Sequence, residues 1–199
     1  MKKVSLAAIA FMGAFAFQAC NDNGSSDPIK SANETNEVKH DSADHMGSSA
    51  TSPTPVSEAD SKFTVEAASG GMMEVQLGAL AQQKASSQRV KDFGAMMVRD
   101  HTKANDELKS LAGMKSITLP PSPGGDHMDH IRDISKKSGK NFDKDYMKMM
   151  VNDHKDDIDA FEKASKDAND ADIKAFATKT LPVLRMHLDS AKAIHDALK

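Results

Sequence analysis

One hexapeptide occurs twice in this chain. Met96-Met97-Val98-Arg99-Asp100-His101 returns 53 residues later as Met149-Met150-Val151-Asn152-Asp153-His154, with only the fourth position changed. Each copy lies in a long stretch whose apolar residues recur at helical spacing, so the repeat reads as two helices that present the same Met, Asp and His groups. If the two helices pack together, an Asp-His pair from each reaches the core, and burying such groups is costly unless they bind one another or something else.

The flanking pattern supplies the other helices. Ser57-Glu58-Ala59-Asp60 starts like a helix cap, and Phe63, Ala67, Gly70, Leu77 and Ala81 predict a helix over about Glu58 to Lys84. Ser86-Ser87 offers a new N-cap after almost no loop. Val90, Phe93, Met97, Ala104, Leu108 and Leu111 then give a second stripe, and so short a connection makes an antiparallel hairpin. Pro120-Pro121-Ser122-Pro123-Gly124-Gly125 ends the hairpin, and Asp126 to Lys137 reads as a short helix crossing the end of the bundle. Phe142, Tyr146, Met150, Phe161 and Ala164 mark the third long helix. Ile173, Phe176, Thr180, Leu184, His187, Ala191, Ile194 and Leu198 mark the fourth, with Pro182 on the opposite side, where a kink is expected. The fold class is therefore all-α: an antiparallel four-helix bundle of ferritin-like connection, with a short crossover helix between its two hairpins.

The N-terminal part has another character. Met1-Lys2-Lys3 followed by the apolar run Val4 to Phe17 is a secretory leader, expected over residues 1–19 and too short to span a bilayer. The chain's single cysteine, Cys20, follows Phe17-Gln18-Ala19 and resembles the lipidated cysteine of a bacterial lipobox. With one Cys, no intramolecular disulfide forms. Residues 20–57 carry Ser, Asn, Asp, Gly and Pro and hardly a bulky apolar side chain, so a disordered tether is expected, with His40, His45 and Met46 solvated. The folded domain is placed at 58–199. Removing Lys2 and Lys3 takes the formal charge from −3 to −5, which gives no reason to expect nucleic acid as a partner. The partner implied is a membrane, through the lipid; the protein partner is left open, a homo-oligomer included, and the expected location is the cell envelope, facing the periplasm or on the outer membrane.

From Phe63 to Leu198 the sequence resembles the bacterial family known as domain of unknown function 4142, placed among ferritin-like folds. The resemblance is carried by the run Ala67-Ala68-Ser69-Gly70-Gly71-Met72-Met73-Glu74-Val75, by Leu80-Ala81 with Lys84-Ala85, and by Val90-Lys91-Asp92-Phe93-Gly94. Met97-Val98-Arg99-Asp100-His101 with Lys103-Ala104-Asn105, Asp153-His154, and Lys179-Thr180-Leu181-Pro182 with Arg185 and His187 complete it. It implies the fold and an envelope location, and no activity.

On a wheel of about 100° per residue, Asp100 and His101 flank the centre of their stripe, and Asp153 and His154 do the same on theirs. Glu74 lies at the edge of the first stripe and His187 well inside the last. Each long helix thus brings a metal-competent side chain inward, which is how bundle cores build carboxylate and imidazole sites. A ferritin-type di-iron centre would need Glu three residues before His, where Val98, Val151 and Leu184 stand. The set Glu74, Asp100, His101, Asp153, His154 and His187 suits one Zn or Cu ion better. Met96, Met97, Met149, Met150 and Met186 would favour copper(I) if they were ligands, although stripe methionines ordinarily fill cores. In the alternative, His101 bonds Asp153 and His154 bonds Asp100 across a pseudo-dyad, fixing helix register without a metal. His127 and His130, one turn apart in Asp126-His127-Met128-Asp129-His130, form a second candidate pair, against the simpler reading of a solvated helix start. No nucleophile stands out, so a non-catalytic binding module is favoured over a structural envelope protein and over a metal-dependent redox enzyme.

Overall fold

The computed structural model describes residues 27–45 and 56–199. The leader, Cys20 and Met46 lie outside the described residues. Six helices follow in order: α1 Pro28–His45, α2 Glu58–Lys84, α3 Gln88–Met114, α4 Gly125–Ser135, α5 Gly139–Asp167 and α6 Ala171–Ala197. Among the described residues there is no strand, and no helix is long and apolar enough to cross a membrane.

The ends of α2 follow from its sequence. Ser57 Oγ accepts from the Asp60 N–H at 3.1 Å, Glu58 and Asp60 sit at the positive end of the helix dipole, and Lys84 sits at the negative end. The chain then turns within three residues into α3. At Gly78 and Gly94 the two helix backbones meet so closely that a Cβ on Gly78 would stand 2.6 Å from the Gly94 carbonyl oxygen, so only glycine fits. Asp170 caps α6 by accepting from the N–H groups of Asp172 and Ile173 at 2.9 and 3.1 Å. Helix α6 continues through Pro182, whose ring is exposed, so the lost amide faces water.

Two buried acids tie the hairpins together and fix the direction of each helix. Asp143, in the first turns of α5, accepts from the N–H groups of Ser86 and Ser87 at 3.0 Å each and from the Ser86 hydroxyl. Ser87 makes no side-chain cap, contrary to the sequence expectation; the acid from the other hairpin holds the Ser86 and Ser87 N–H groups instead. Asp60 of α2 does the same at the far end, accepting from Asn169 N–H at 3.1 Å and Asp170 N–H at 2.8 Å. Consequently α5 starts beside the α2–α3 turn and ends beside the start of α2. Neighbours α2 and α3, α5 and α6, α2 and α5, and α3 and α6 all run antiparallel.

Two sequence expectations are corrected. Residues 28–45, expected within the disordered tether, form a helix. Asp27 accepts from the N–H of Ile29 at 2.9 Å, Ala32 and Asn36 are buried, and the Asn36 amide clamps Thr118 by donating to its carbonyl at 2.9 Å and accepting its N–H at 2.7 Å. A polar segment can dock in this way because paired amide bonds replace apolar burial. Second, α4 does not cross the end of the bundle. It lies along α2, held by a 2.8 Å bond between His127 Nδ1 and Ser69 Oγ and by the Lys84 ammonium on the Ser135 carbonyl.

The core is divided. Val65, Leu108, Phe161, Ile173 and Phe176 belong to one apolar cluster, and Leu77, Phe93, Met97, Phe142, Tyr146 and Met150 to another. Between them, on all four long helices, lies a polar layer.

Candidate metal centre at the waist of the bundle

The polar layer is made by Glu74 on α2, His101 on α3, His154 on α5 and His187 on α6, all buried. Each follows from its stripe: Met97 and His101, and Met150 and His154, are successive inward positions one turn apart. The repeat helices α3 and α5 stand diagonally and run parallel, each packed chiefly on α2 and α6, so the repeat places His101 and His154 opposite one another. Their ring centroids are 5.7 Å apart, and His187 stands 5.2 Å from His101 and 5.3 Å from His154.

The reciprocal pairs expected across the dyad do not form. His101 Nδ1 instead meets Glu74 Oε2 at 2.6 Å, His154 Nδ1 donates to the Met150 carbonyl at 3.0 Å, and His187 Nε2 meets Asp100 Oδ2 at 3.0 Å. The reason is geometric: on diagonal helices the Asp flanking each His falls in the seam with a neighbour, not toward the other repeat. Asp100 lies in the α3–α6 seam, where Arg99 holds it at 2.8 and 2.9 Å and keeps its carboxyl below the usual range. Asp153 is half-buried, and its Oδ2 has no partner.

These contacts assign one nitrogen of each ring and leave the other. His101 Nε2, His154 Nε2 and His187 Nδ1 are buried with no hydrogen-bond partner. Ligand atoms of the three imidazoles lie within 4.8 Å of one another. His154 Nδ1 on the Met150 carbonyl and His187 Nε2 on the ionised Asp100 are N–H donors, which leaves lone pairs on His154 Nε2 and His187 Nδ1, and His101 Nε2 gains its own when the Glu74 proton is lost. Burial holds the rings neutral, lowering His101 and His187 to about 4 and His154 well below its ordinary value. The same burial drives Glu74 well above the carboxylate range. Glu74 Oε1 approaches His154 Nε2 at 3.4 Å without the alignment of a hydrogen bond, so both atoms stay unpartnered.

A second group adjoins the first. Glu74, Asp153, His154 and Asp157 also bring ligand atoms within 4.8 Å of one another, along the α2–α5 seam. Asp157 was not singled out from sequence, although its place one turn after Asp153 and His154 is the signal that finds it. A cavity of about 30 Å³ touches Glu74, Asp100, His101, Asp157 and His187, enough for a water-sized ligand and too small for an organic substrate.

The other candidates are placed elsewhere. His127 is spent on Ser69, and His130 is exposed. Met97 and Met150 are buried in the apolar cluster, Met96 and Met149 pack on it, and Met186 is exposed, so they behave as filler.

Fold and site together define a ferritin-like four-helix bundle with a three-imidazole waist in place of a carboxylate-rich di-iron layer. The chain belongs to the family described as Domain of unknown function (DUF4142), which matches residues 45–194. A solved fragment of the DUF305 family from Deinococcus radiodurans shares the fold at a TM-score of 0.62 and 11% identity, over 72% of this chain and 99% of that one. No curated protein matches the chain.

Proposed function

We propose that this domain is a non-catalytic module that binds one transition-metal ion, Zn or Cu, through His101, His154 and His187, with Glu74 beside them. The observation that carries the reading is the set of three buried imidazoles whose ligand atoms lie within 4.8 Å of one another, each ring keeping one nitrogen without a partner while the other meets Glu74, the Met150 carbonyl or Asp100. Metal-binding histidines are oriented by such partners, whereas buried polar atoms left without bonds cost stability in a protein that does not use them. Neutral imidazoles suit a borderline cation, and a closed four-helix layer suits storage or sensing better than turnover. The proposal extends to the setting: lipidation at Cys20 would hold the bundle on the bacterial envelope, as the leader supports.

Equilibrium dialysis of untagged protein against Zn²⁺ and Cu²⁺ tests the site. One ion per chain is expected, weakened at least ~100-fold by His154→Leu, since even the groups that only orient ligands are worth 10–100-fold. Protein that stays metal-free refutes it. One observation favours a second reading, redox chemistry at the ion: the cavity beside His101 and His187 admits a water-sized molecule. Loaded protein that consumes no peroxide above the rate of free ion would exclude that reading.

A further inference from the structure

We infer that the ion is loaded from the α4–α5 side, through an acidic groove and a carboxylate relay made by Asp153, Asp157 and Glu74, and reaches the three imidazoles by exchange at His154. The inference rests on the metal reading above and adds the path.

One groove and two groups of ligand atoms are linked by shared residues. A groove of about 370 Å³ between α4 and α5 is lined by His130, Asp133, Asp145, Met149, Asp153 and Asp156. Of its four aspartates, Asp145 is paired with Lys137 at 3.0 Å and Asp133 with Lys136 at 2.8 Å, which leaves Asp153 and Asp156 against Lys148. Asp153 belongs both to this groove and to the buried group with Glu74, His154 and Asp157. His154 in turn belongs both to that group and to the imidazole triad. The acids alone would say little, but two buried atoms face the relay without a partner: Glu74 Oε1, on a residue 2% exposed, and His154 Nε2, on a residue 0% exposed. A single nitrogen lone pair serves one ion at a time, so His154 makes the two positions successive rather than simultaneous. Oxygen ligands take a hydrated cation first, and nitrogen ligands retain a borderline one.

On the opposite side of the waist the acids are already paired with cations. The α3–α6 groove, about 130 Å³, carries Lys103 and Lys179, and Lys179 bridges to Glu107 at 2.7 Å across the seam. Arg99 covers Asp100 there. Asp153 and Asp156, groove acids without an ion pair among the described residues, therefore lie on the α4–α5 side.

Stopped-flow mixing of the metal-free full chain with Co²⁺ at low ionic strength, followed by the visible band of imidazole-bound cobalt, tests the path. Asp153→Asn with Asp156→Asn should slow the band's appearance about tenfold, within the range set by electrostatic steering. The single variant Asp156→Asn, at an exposed position that does not endanger folding, should slow it about threefold and flatten its salt dependence. Glu107→Gln with Lys179→Gln should load at the wild-type rate. Wild-type rates in both acidic-groove variants, or tenfold faster loading in the α3–α6 variant, would overturn the path while leaving the site intact. A wild-type chain that develops no band would remove the site and the path together.

Discussion

Asp60 and Asp143 at the ends of the bundle and Glu74 at its waist are all buried acids, 3%, 1% and 2% exposed, yet they are built in opposite ways. Each end acid accepts from two backbone N–H groups of the other hairpin, donors that would otherwise be orphaned at a helix turn. Such an acid is a clasp, and its function is finished when the hairpins meet. Glu74 has a single short contact, to His101, and around it lie unpartnered atoms of Glu74, His101, His154, His187 and Asp153. Apolar clusters on either side could have continued through this layer at lower cost. Buried acids satisfied at both ends and left open in the middle are the contrast on which the proposed metal site rests.

Substitutions should separate the two regions. The largest effect belongs to the ion: saturating Zn²⁺ at 100 times Kd should stabilise the wild type by about 2.7 kcal/mol, seen as a rise in melting temperature, and should leave His154→Leu unmoved. An equal rise in both would place the ion elsewhere. Next, Asp143→Ala should destabilise the protein by about 2 kcal/mol with or without metal, because it strands the Ser86 and Ser87 N–H groups in a buried turn. Denaturant unfolding that finds less than half a kcal/mol would contradict the clasp.

Metal-free His154→Leu should behave unlike Asp143→Ala. It removes an unpartnered nitrogen and a donor whose carbonyl already serves the helix, so stability should stay the same or rise by about 1 kcal/mol. A loss above ~2 kcal/mol would make His154 a structural residue.

The pH dependence of the metal-free protein gives a smaller, signed test. His101 and His187 are lowered in the folded state to about 4 from 6.5, so between those values the unfolded chain binds more protons and stability falls as pH falls. Each full shift is worth roughly 3 kcal/mol at most, lost progressively from pH 6.5 down to about 4. Glu74 has the opposite sign. Its raised value makes the folded state the greater proton binder above 4.5, so its contribution falls as pH rises. Titrating His101→Leu by denaturant unfolding at pH 5 and 7 should show a reduced slope; an unchanged slope would mean that the ring is not buried neutral.

Helical periodicity made the four long helices and the inward positions of His101, His154 and His187 legible, because a stripe depends only on local spacing. Bundle geometry was not local. Nothing in the repeat said that α3 and α5 would stand diagonally, and that placement sends Asp100 to His187 and Glu74 to His101. The two clasps were hidden for the same reason: Asp60 and Asp143 look like ordinary acids near a helix start until the other hairpin is in place. Helix α1 was obscured by its composition, since its docking relies on the Asn36 amide and on Lys39 bonding the Ser116 carbonyl at 2.8 Å rather than on an apolar stripe. Asp157 was within reach, because it extends Asp153-His154 by one helical turn.

X-ray absorption on untagged protein equilibrated with one equivalent of Zn²⁺ and then dialysed tests the central claim most directly. The account predicts one retained ion per chain, with a nitrogen shell at about 2.0–2.1 Å and the outer scattering of three imidazoles. Protein that emerges without zinc, or with zinc lacking imidazole scattering, would contradict it.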